Sequence, residues 1–123
     1  MAPSIERHDQ NQCGVVDGAF SRSGKSSTAN AVCRDTDRHY LGSSAMVFGG
    51  IDDPAMVESL TCCEALSLAE DLQVQNLLIA SGCKVVVEDI NKGNLGRYGT
   101  IVAEIARRAA HFQKCSFIHE PEE

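Results

Sequence analysis

Tryptophan is absent and aromatic residues make up only 5% of the chain, so Val, Ile, Leu and Ala must fill any core. No apolar run approaches the ~18–20 residues that a membrane-spanning helix needs. The opening MAPSIERHDQNQ lacks the apolar stretch of a signal peptide. These absences lead to the expectation of an intracellular protein, nuclear or cytoplasmic. An excess of positive charge is lacking too: 17 acids stand against 11 Lys and Arg, for a formal charge of −6. That excludes coating nucleic acid by bulk electrostatics, although it leaves room for a local basic patch. The six cysteines (Cys13, Cys33, Cys62, Cys63, Cys83 and Cys115) contain no CxxC pair and no zinc-ligand spacing. Cys62 and Cys63 are neighbours on an expected helix, so their side chains diverge by ~100° and cannot chelate one ion. Reduced, mostly buried thiols are expected.

What is present is globular composition, 43% hydrophobic and 23% charged over 123 residues, enough for one domain. Residues 1–11 are polar and aperiodic and read as a flexible tail, leaving 12–123 as a single domain. Strands are expected over 13–20 (CGVVDGAF), 28–34 and 39–49, separated by turns at 21–27 and 35–38, which suggests an antiparallel meander. The period then changes. Asp53-Pro54 is a helix start, and Val57, Thr61, Ala65, Leu68 and Leu72 follow at helical spacing. A strand over 75–81 and a helix capped by Ser81 through VVVEDI come next. After a loop over 91–96, a helix is marked by Tyr98, Ile101, Val102, Ile105, Ala109 and Phe112, and a last strand spans 115–118. The order βββ-α-β-α-α-β implies a mixed α/β sheet with helical crossovers.

Charge is uneven along this order. Residues 51–90 hold eight acids and one base, whereas Lys92, Arg97, Arg107, Arg108 and Lys114 face a single acid over 91–115. This stretch reads either as a solvated helix face or as a phosphate-contacting patch. GAFSRSGKSS imitates a phosphate-binding loop, but five residues rather than four separate Gly18 from Gly24-Lys25, and a strand follows it instead of a helix. Asp17 is more informative. A carboxylate in the middle of an apolar strand needs a partner or a cation, and Gly18 beside it leaves room for close approach.

The segments VDGAF, AVCRDTDRHYLG, ESLTCCEALSLAEDL, QNLLIASGCKVVVEDI and FIHEP, in that order across roughly 13–121, resemble the ribonuclease H-like domains of the reverse-transcriptase-like, retroelement-related family abundant in plants. The resemblance implies an α/β fold with a five-stranded mixed sheet, three antiparallel strands then parallel ones, and helices on its faces. It implies hydrolysis of the RNA strand of RNA–DNA hybrids, through carboxylates that hold Mg²⁺, or Mn²⁺ in its place. By motif, Asp17 matches the first metal ligand and Glu58 the second. Glu58 is expected to reach the first strand from the edge of its helix, while Glu64 matches a solvent-side acid.

Departures accompany the match. Gly82 stands where the family carries its third acid, making that a degenerate site position. The fourth acid and the last helix of the family lie beyond Glu123. His119 is a possible auxiliary group at the end of the last strand, and the basic stretch would lie along the hybrid. With two of four ligands missing, Mg²⁺ would bind weakly if at all and hydrolysis is expected to be weakened or lost. A non-catalytic nucleic-acid- or protein-binding module on the same fold is the alternative. Without the last helix one sheet face would be uncovered, open to self-association.

Overall fold

A period of two governs the first half of the chain. Along β2 (Ser26–Arg34), Ser27, Ala29, Ala31 and Cys33 are buried and the residues between them half-exposed. The computed structural model describes residues 13–50, 53–82, 84–93 and 99–120. The expected tail, Cys83 and Arg97 lie outside them. β1 (Cys13–Ser23) pairs antiparallel with β2, and β2 with β3 (Tyr40–Gly49). Then follow α1 (Pro54–Asp71), β4 (Asn76–Ser81), α2 (Lys84–Lys92), α3 (Gly99–Ala109) and β5 (Lys114–His119). β4 runs parallel to β1, and β5 parallel to β4, giving one sheet in the order β3-β2-β1-β4-β5. Element order and mixed sheet agree with expectation.

The first turn is shorter than its composition suggested. Ser21, Arg22 and Ser23 continue β1, paired with Thr28, Ser27 and Ser26, so only Gly24 and Lys25 turn. Gly24 at φ 59° supplies the positive φ that a two-residue hairpin demands at its first central position, and backbone pairing needs no apolar side chains. The second turn is tied by Asp35, whose Oδ1 accepts the N–H groups of Asp37 and His39 at 2.9 and 2.8 Å.

α1 begins as the sequence indicated. Asp53 Oδ1 accepts the Ala55 N–H at 3.0 Å, and Pro54 occupies the first turn. It ends where Gln73 turns left-handed at φ 61° and the Val74 N–H closes on Ala69 O at 3.1 Å. The expected stripe of Val57, Thr61, Ala65 and Leu68 is buried, but so are Ser59, Cys62, Leu66 and Ala69. The helix is buried around most of its circumference because it lies between the sheet and the other two helices. Val86, Val87 and Ile90 of α2 and Val102 and Ile105 of α3 join the same core as Val16, Leu77, Ile79 and Phe117. Among the described residues no helix covers the opposite sheet face, where Ile118 is 40% exposed. None is long and apolar enough to cross a membrane.

Among the described cysteines, Cys33, Cys63 and Cys115 are free thiols. Cys33 and Cys62 are buried, Cys63 and Cys115 half-buried and Cys13 exposed. Burial pushes the thiols of Cys33 and Cys115 up to about 11, so both stay protonated at neutral pH.

Leu66, fully buried on the far side of α1 from its stripe, tests this packing. Leu66→Ala is expected to lower unfolding free energy in urea by about 2–5 kcal/mol. A loss below about 1 kcal/mol would mean that α3 does not seal that side.

Candidate functional site

Helix and sheet meet closely at Gly18. A Cβ there would lie 2.7 Å from Thr61 Cγ2. Thr61 cannot rotate away without loss, because its Oγ1 donates to Val57 O at 2.8 Å. α1 therefore rests directly on β1. Three residues earlier, on the same side of the helix, stands Glu58. It is only 4% exposed, and its Oε2 accepts a hydrogen bond from Ser81 Oγ at 2.9 Å.

Ser81 ends β4 and is the register partner of Gly18 on one side and of His119 on the other. The Glu120 N–H donates to Ser81 O at 2.9 Å and holds β5 in place there. Gly18, Ser81 and His119 thus form one row across three strands, with Glu58 above it. Asp17 precedes Gly18 and so presents its side chain to the opposite face, where it is exposed beside its register partners Val32 and Ala80. Two carboxylates approach the same row from opposite faces, one buried and one in solvent. The sequence directed Glu58 to the first strand, whereas its hydrogen bond runs to β4. The reason is chemical: Gly18 offers no side chain, and Ser81 beside it offers a hydroxyl. Gly82 follows in a bend and contributes no side-chain donor.

The donors at this row are carboxylate and hydroxyl oxygens, the hard ligands that Mg²⁺ and Mn²⁺ select, so the residues present fit such an ion. Asp17 also lines a groove of about 460 Å³ on the open face, together with Arg34, Arg38, Ala80, Ile118 and Glu120. The sequence makes Ser81 a helix cap, whereas it ends β4 and bonds Glu58, and sequence reasoning missed Arg34 and Arg38. Strand register is the signal that finds Ser81 and Arg34, since Val15 pairs with Arg34 and Gly18 with Ser81. Asp35, Asp37 and His39 bring ligand atoms within 4.8 Å of one another in the β2–β3 turn. Hydrogen bonding within the turn accounts for that grouping. The His39 N–H foremost holds the Asp35 carboxyl below its ordinary range.

The described basic residues of the 91–115 stretch are not all free. Arg108 is spent on α1, donating to Ser67 Oγ and Glu70 Oε1 at 2.8 Å and to Cys63 O at 3.4 Å, with its side chain only 18% exposed. Arg107 forms a forked pair with Glu104 at 3.1 and 2.7 Å, whose hydrogen bonds hold the Glu104 carboxyl down. Lys92 and Lys114 are exposed.

The model of the reverse transcriptase-like family matches residues 15–123. No curated protein matches the sequence. Among solved structures, the N-terminal RNase H domain of a Mycobacterium tuberculosis protein superposes with a TM-score of 0.80 at 16% identity, covering 90% of this chain and 84% of that one. RNase H1 from the halophilic archaeon Halobacterium salinarum gives 0.72 at 15% identity over 89% and 86%. LC11-RNase H1, in complex with an RNA/DNA hybrid, gives 0.73 at 16% over 89% and 86%. At these identities the likeness is one of fold.

The contact at Gly18 is testable without any ligand. Gly18→Ala is expected to cost about 1–3 kcal/mol in denaturant unfolding. Adding Thr61→Ser, which removes the obstructing methyl and keeps the hydroxyl, should recover most of that loss. Equal losses with and without Thr61→Ser would refute the close approach.

Proposed function

As a member of the reverse transcriptase-like family this chain folds as a ribonuclease H-like domain, and from that premise we propose that it binds RNA–DNA hybrids and retains at most a weakened form of RNA-strand hydrolysis. What supports the reading is that Asp17 lies next to Gly18 on β1 while Glu58 meets Ser81, the register partner of Gly18. Hydrolysis at such a centre needs a divalent ion, which neutralises phosphate charge and makes a bound water more acidic. Asp17 and Glu58 are the residues that would hold it. Ser81 orients the Glu58 carboxylate by its hydrogen bond, and the closely packed Thr61–Gly18 contact fixes how far α1 stands from the strand. His119, beside Ser81 in the row, is exposed at the end of β5 and is proposed as an auxiliary proton carrier.

Weakening is proposed from residue 82. A carboxylate there would follow Ser81 at the end of β4 and join the other two, whereas glycine supplies none. Two carboxylates favour a single, largely hydrated Mg²⁺ or Mn²⁺ over the paired ions that efficient phosphodiester cleavage uses. Backbone contacts to the hybrid are assigned to Lys92, Arg107 and Lys114, with Arg97 a further candidate. The clasp that Arg108 makes on α1 favours a structural part for that residue. With so few bases available, binding rests on shape more than on charge, which also favours a binding module over a fast nuclease.

Two measurements test this. Cleavage of a labelled RNA strand in a hybrid should be slow in Mg²⁺ or Mn²⁺, should rise at least ~10-fold in Gly82→Asp, and should vanish when Asp17→Asn is added. A rate in Gly82→Asp no higher than in the wild type, from folded protein, would remove the nuclease reading and leave binding alone. Hybrid affinity should fall with salt with a log–log slope shallower than about −3, as three phosphate contacts allow. Undetectable hybrid binding at low salt would overturn the binding assignment itself.

A further inference from the structure

The two edges of the sheet are treated differently. β5, on one side, is six residues long, carries Lys114 and His119 at its ends, and has its outward carbonyl at Phe117 occupied by Asn91 Nδ2 of α2 at 3.3 Å. A short, charged and covered edge resists pairing with another chain. β3, on the other side, is ten residues of YLGSSAMVFG without a single charge or proline, and no described strand lies beyond it. Met46 is 45% and Val47 69% exposed on it.

The free hydrogen-bonding groups of this edge follow from the ladder. The Gly50 N–H donates to Lys25 O at 3.3 Å, which sets the phase of the β2–β3 pairing. Phe48, Met46, Ser44 and Gly42 then form the bonded pairs with Ser27, Ala29, Ala31 and Cys33. Ser43, Ala45, Val47 and Gly49 turn their N–H and C=O groups away from β2, and the regular ladder ends at the bulge opposite Cys33 and Arg34. Such a row is a template for one more strand.

We propose that β3 pairs antiparallel with β3 of a second copy of this chain, joining two sheets across a two-fold axis. Charge argues for a second copy as the occupant. The chain carries −6 overall, so most of its surface repels another copy, yet β3 meets itself with no like charges opposed. Geometry agrees. A register centred on Ala45 sets Val47 opposite Ser43 of the second copy, within the regular part of the strand. The symmetric stretch 42–48 gives about 23 Å of pairing. That is a narrow contact compared with the ~800 Å² per partner of a standard interface, so a reversible, micromolar dimer is expected.

Sedimentation velocity over a concentration series tests the state, and amide hydrogen exchange tests the surface. The wild type should pass from monomer to dimer, with the amides of Ser43, Ala45 and Val47 protected at high concentration and exposed on dilution. Val47→Lys, at a side chain already in solvent, should weaken the dimer at least ~10-fold, while Ile118→Lys on the open face leaves it unchanged. A monomer at every concentration, with those amides always exchanging fast, would overturn the proposal. So would a dimer that survives Val47→Lys and is lost in Ile118→Lys. Protection of those amides only when an extended peptide of another protein is added would overturn the choice of a second copy.

Discussion

The Thr61 methyl seated on Gly18 is the constraint from which the rest of the molecule takes its spacing. A side chain at position 18 would lift α1 off β1, and the helix is buried on nearly all sides, so α2 and α3 would be displaced with it. The same contact sets the height of Glu58 over the end of β4, where the Ser81 hydroxyl captures its carboxylate. Fold and candidate chemistry are therefore coupled through one interatomic distance. The cap at Asp53 and the left-handed exit at Gln73 fix the ends of α1, but neither sets how deep it sits.

The two carboxylates at this row live in different dielectric surroundings. Glu58 is enclosed, where electrostatic interactions are strong and desolvation is costly; Asp17 faces solvent, where a hydrated ion can approach without losing much of its water shell. For the proposed ion, Asp17 is the accessible ligand and Glu58 the fixed, oriented one. The groove beside Asp17 mixes Arg34 and Arg38 with Asp35 and Glu120, so its charge is close to balanced and does not attract a polyanion strongly. Any affinity for nucleic acid then depends on the row itself and on scattered lysines, consistent with the acidic balance of the chain.

Much of this was readable before any coordinates. The apolar run around Asp17 and the turn-rich segments after it mark the three antiparallel strands, and the Asp-Pro start with its helical stripe marks α1. Asp17 stood out because a carboxylate interrupted an apolar strand. Sequence patterns stop where partners are distant along the chain. The bond from Glu58 to Ser81 spans 23 residues and depends on register, which hydrophobicity does not encode. The hairpin at Gly24 was read too long because serines signal turns by composition, whereas a single positive φ was all the geometry needed. Arg108 counted as a basic residue in sequence and became a clasp between helices in space, since its fork found Ser67 and Glu70 on α1.

Asp17 and Glu58 are proposed to act together at one place on the sheet, and Mn²⁺ reports on that directly through paramagnetic broadening of backbone amide signals. Titrating the wild-type protein should broaden Gly18 and Ser81 first, and Asp17→Asn should abolish the effect while leaving the remaining spectrum in place. Broadening confined to the Asp35, Asp37 and His39 turn, or undiminished at Gly18 in Asp17→Asn, would contradict the account.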